Sequence, residues 1–126
     1  MHIRKIDPRE REEITKYLML DENMLYSLVP PYLAEYEGTV FTVQGQIDAG
    51  REKFQMLRPR LRVKICEEWE LCKRIDDPIL QDEVNLVIAI ADILSTITTG
   101  IPPFLVASIL VRIGLRNFCN CIRQKG

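Results

Sequence analysis

Between residues 84 and 122 the chain reads VNLVIAIADILSTITTGIPPFLVASILVRIGLRNFCNCI, and from 84 to 115 only Asp92 and Arg112 carry charge. No other stretch is apolar enough to seed a core, so the fold has to enclose this one. The Gly100-Ile101-Pro102-Pro103 break divides it. Glycine can take the left-handed turn that ends a helix, and proline fits the first turn of the next. The expectation is a helical hairpin over 79–121, its antiparallel arms joined by a very short connection at 100–103.

Charge placement sharpens the expectation. Asp92 lies ten residues before position 102 and Arg112 ten after it. Folding the chain about that point brings the two to one level, so an Asp92–Arg112 ion pair is expected to mark the register of the hairpin. The competing reading sends each to its own solvent-facing edge. The same two charges, with the glycine and prolines, interrupt the apolar run too early for a membrane span, which needs about 20 continuous apolar residues. Insertion of 84–118 into a bilayer is kept as an alternative and is not favoured.

The remaining chain supplies cover. Asp7, Pro8 and Glu10 spell a capping box for a helix over 8–20, with Ile14, Tyr17 and Leu18 as its apolar stripe. A second short helix over 21–29 stops before Pro30-Pro31. A helical turn is expected over 32–38. Residues 39–57 contain the strand-like TVFTV, yet Val40, Val43, Ile47, Gly50, Phe54 and Leu57 recur at helical steps. A helix is therefore expected there, with Gly45 and Gly50 marking close approach or a kink. Pro59 starts another helix over 59–73, and Asp77-Pro78 opens the first arm of the hairpin, over 79–98. The fold class is all-α: a compact multi-helix bundle in a single helical domain over 1–126.

Composition narrows function. At 126 residues with a net charge of −1, the chain gives no general reason to expect a nucleic acid or membrane surface as partner. The charge is blocked, however. Residues 21–50 carry five acids and no base, 51–64 carry six bases against Glu52, and 67–83 carry seven acids against Lys73 and Arg74. Arg51, Lys53, Arg58, Arg60, Arg62 and Lys64 thus form a candidate interaction surface. With no base-reading motif among them, the expected partner is an acidic protein surface, such as the 67–83 block of another copy.

Catalytic chemistry is thinly provided. His2 is the sole histidine, which leaves Ser-His-Asp and Cys-His arrangements without a base, and no glycine pattern matches a phosphate-binding loop. Neither an enzymatic activity nor a cofactor is expected. Cys66, Cys72, Cys119 and Cys121 are read mainly as buried structural thiols. A four-thiolate metal site and a Cys119–Cys121 redox pair are the alternatives. Without a signal-peptide pattern at the first residues, the expected compartment is the cytoplasm. The resulting function is a non-enzymatic helical protein-interaction or assembly module, accessory to a larger effector or forming homo-oligomers.

Overall fold

The computed structural model describes residues 4–97 and 99–122. Seven α-helices lie among them: α1 (Pro8–Leu18), α2 (Glu22–Ser27), α3 (Val43–Arg62), α4 (Leu71–Arg74), α5 (Glu83–Leu94), α6 (Pro103–Ile113) and α7 (Leu115–Phe118). Short 3-10 turns at Pro30–Tyr32, Ala34–Tyr36 and Pro78–Gln81, and a π-helical stretch at Val63–Glu68, complete the bundle.

The C-terminal hairpin is the centre of the molecule. The α6 sequence PFLVASILVRI is apolar around most of its circumference, so it must be enclosed. Leu105, Val106, Ala107, Ile109 and Leu110 are all essentially inaccessible. α5 packs along one side, α1 and α2 cover others, and α7 folds back at the end, while the π-helical stretch lies against α5. The cover therefore comes from the chain's own N-terminal half. Ser108, buried on α6, donates to the Phe104 carbonyl at 2.7 Å, so its hydroxyl costs the core little. Among the described residues, no helix is long and apolar enough to cross a membrane.

Local chemistry sets the element ends. Asp7 and Glu10 form the expected reciprocal capping box at α1. Asp21 caps α2, and Thr42 accepts from the Gly45 N–H at 3.0 Å to start α3. The α3 helix thus begins at Val43 rather than at 39, since the cap competes with helical continuation through TVFT. Gly50 is the point of closest approach between helices. A Cβ there would stand 1.8 Å from the Tyr26 carbonyl oxygen, so only glycine lets α2 lie this close.

Other expected boundaries move as well. Pro59 does not begin a helix; it lies inside α3, which runs on through Arg62 into the π-helical Val63–Glu68. Leu57, Leu61 and Ile65 keep one buried face across the proline, and this packing outweighs the hydrogen bond that proline forgoes. The first arm of the hairpin is shorter than 79–98. Asp82 caps α5 by accepting from the Val84 N–H at 2.9 Å, which leaves Pro78–Gln81 as a separate turn. At its other end, Ser95 and Thr96 donate to the Asp92 and Ile93 carbonyls, and Thr99 bonds both backbone groups of Ile101. These hydroxyls offer the backbone partners outside the helix, so the connection is longer than 100–103. The second arm ends early as well: Gly114, at φ +100°, turns the chain into α7.

Candidate functional site

The expected Asp92–Arg112 pair does not form. Asp92 accepts from Arg4 Nε at 3.0 Å, and Arg112 Nε donates to the Leu20 carbonyl at 3.1 Å. Each charge ties an arm of the hairpin to the N-terminal cover instead of to the other arm. Both side chains are exposed, and the longer connection removes the symmetry about position 102 on which the pairing rested. Arg4 also grips Glu10, holding that carboxyl below its ordinary range with the help of the Asp7 N–H.

The basic run is largely engaged by its own chain. Arg51 reaches Asn23 at 2.7 Å and lies over the Tyr26 ring. Lys53 pairs with Glu35 at 3.5 Å and Lys64 with Glu68 at 3.1 Å. Arg58 covers the ring of the buried Phe118, locking α7 onto α3. Arg60 and Arg62 are exposed on the same helix. Arg51, Lys53, Arg58 and Lys64 thus have neighbours within their own chain, which is the arrangement of a brace more than of one open basic face.

The cysteines depart furthest from expectation. Cys66 bonds Cys119 and Cys72 bonds Cys121, so they are cystines and not thiols, and none is fully buried. In this bonded form no sulfur offers the thiolate that zinc or an iron-sulphur cluster requires. Cys119 and Cys121 also do not pair with each other. Among the described residues no group of three or more His, Cys, Asp or Glu is arranged to hold a metal ion. The two cystines adjoin: Cys72 Sγ lies 3.9 Å from the Cys119 carbonyl oxygen. Around them stand the two non-glycine residues of left-handed φ among those described, Glu70 and Asn120, together with the π-helical turn. Such backbone persists where surrounding structure over-determines it, and here two covalent bonds do so. The paired spacings of six and two residues were the available signal, but spacing does not specify which sulfurs meet.

Sequence reading missed a concave surface between the 3-10 turns and the start of α3. Pro30, Pro31, Tyr32, Tyr36, Phe41 and Gln46 are among the residues lining a cavity of about 570 Å³. Tyr36 and Phe41 meet edge to face at 5.3 Å and shape one wall. Val40 and Val43, in the same stretch of chain as the lining residues Thr39 and Phe41, are 95% and 72% exposed. Glu37 is exposed in the lining and Glu35 stands beside it, in the block of chain that carries acids and no base. Proline and aromatic side chains share the lining with Glu37, Thr39 and Gln46. His2 lies outside the described residues. Compared with known proteins, the chain matches no family model, no curated protein and no solved structure.

Proposed function

We propose that the chain is a non-enzymatic helical interaction module that receives a segment of a partner protein in the Pro30–Gln46 groove. The observation that carries this reading is the groove itself, with the exposed valines Val40 and Val43 in the same stretch of chain as its lining residues Thr39, Phe41 and Gln46. Burying a valine stabilises by about 1.5–3 kcal/mol, so a partner covering both would gain a substantial fraction of a micromolar affinity there. Aromatic and proline side chains in its walls favour an extended strand of peptide, and Glu37 favours a basic side chain on it.

The test is a comparison of the wild type with the Val40→Asp, Val43→Asp double variant, neither position lying in the core. A protein retrieved from the native host by the wild type should be lost with the variant, at unchanged helix content. Equal recovery by both would remove the groove from the interaction. The solution mass of the two, measured side by side, separates a partner protein from a second copy of the chain.

A cytoplasmic home belongs to this reading on one condition. Cystines persist in oxidising compartments and are reduced in the cytosol, so there the two cystines would have to exchange with thiols.

A further inference from the structure

The two cystines are chemically inequivalent, and the difference lies in what surrounds each sulfur. Cys66 and Cys119 both pack against the hydrophobic core, as does Cys121, whereas Cys72 is exposed on the short α4. The N–H groups of Cys119 and Cys121 donate to the Leu115 and Arg116 carbonyls, both at 2.9 Å, so the difference rests on the exposure of Cys72. Thiol–disulfide exchange needs an attacking thiolate in line with an accessible sulfur, so access decides which bond opens first. Of the four half-cystines Cys72 is the one on an exposed residue, and the other three pack against the core.

We propose that Cys72–Cys121 is a thiol-exchange site for small monothiols, and that Cys66–Cys119 is the structural bond that holds the fold while it reacts. A thiolate R–S⁻ attacks Cys72 Sγ, the Cys72–Cys121 bond breaks, and Cys121 leaves as a thiolate carrying the electron pair. The product is a mixed disulfide at Cys72 and a free thiol at Cys121, with no net change in oxidation state. A second R–S⁻ attacking the R sulfur of the mixed disulfide yields R–S–S–R and frees the Cys72 thiolate. Two monothiols are then oxidised and one cystine reduced. Because Cys119 stays bonded, α7 keeps its place under Arg58.

The experiment uses the oxidised full chain and reduced glutathione, with alkylation at intervals and fragmentation mass spectrometry to place every label. The first species to appear should carry glutathione at Cys72 and the alkyl group at Cys121, with Cys66–Cys119 intact. Its formation should be at least about tenfold faster than opening of the second bond. Labels on Cys66 or Cys119 in the singly opened species, glutathione on Cys121, or equal rates for the two bonds would each overturn the proposal. A Cys72→Ser, Cys121→Ser variant of native helix content supplies an independent readout. It should lose the fast phase, and a fast phase that survives in it counts equally against the assignment.

Discussion

Gly50 is the residue at which the packing tolerates least change. Its missing side chain is what allows the Tyr26 carbonyl to approach α3, and a methyl group would overlap that oxygen outright. Gly50→Ala should destabilise the chain by about 2–4 kcal/mol despite the better helix propensity of alanine, because α2 must move off α3. Denaturant unfolding measures this, and a neutral result would mean that the two helices separate freely. Tyr17 gives a pH signature. Burial, with Tyr32 and Glu13 nearby, pushes its phenol from 10.0 up to about 12. A raised folded-state value means the neutral phenol is favoured by folding, so its contribution is complete below pH 10 and fades as pH rises towards 12. Stability should fall across that window, and Tyr17→Phe should make the fall shallower. Tyr26, also raised by burial, keeps the slope from vanishing. Both roles were partly legible: the 3.6-residue stripe placed Tyr17 and Gly50 on inward faces, but which groups face them comes from other helices.

At the scale of elements, caps were readable and continuity was not. Asp7, with Pro8 and Glu10 beside it, acts through bonds to backbone a few residues away, so its role is written locally. Pro59 is ambiguous locally, because proline fits a first turn and also survives within a helix that tertiary contacts hold together. The deciding contacts are those of Leu57, Leu61 and Ile65, buried by other parts of the bundle. Pro59→Ala should accordingly stabilise the protein, by about 1–3 kcal/mol, since it restores a backbone donor within a helix that already exists. Thermal unfolding with circular dichroism checks the direction. A loss of stability would mean that the proline instead stiffens the approach to the π-helical Val63–Glu68. The hairpin ends follow the same division. Glycine and proline located the break, while the extra length of the connection came from the hydroxyls of Ser95, Thr96 and Thr99.

For the whole molecule, the two cystines join the end of the chain to its middle across separations of 53 and 49 residues. In the chain-entropy account one bond closing a loop of about 50 residues contributes about 4 kcal/mol. The second then closes a ring of only about eight residues through the first, and adds about 2–3 kcal/mol. Replacing either pair by serine should cost about 2–3 kcal/mol, while replacing both should cost about 6–7 kcal/mol. Equilibrium unfolding of the three variants tests this non-additivity, and a double loss equal to the two single losses would contradict it. By itself the sequence determined that the protein is helical, that the apolar segments on either side of the Gly100–Pro103 break are buried, and where α1, α2 and α6 start. Periodicity and capping act within a few residues, so one-dimensional order contains them. Only the tertiary structure decided that Arg4 takes Asp92, that Arg112 serves Leu20, which cysteines bond, and that a groove opens at Pro30–Gln46. Each of those depends on groups far apart in the chain, whose meeting is fixed by how the helices pack.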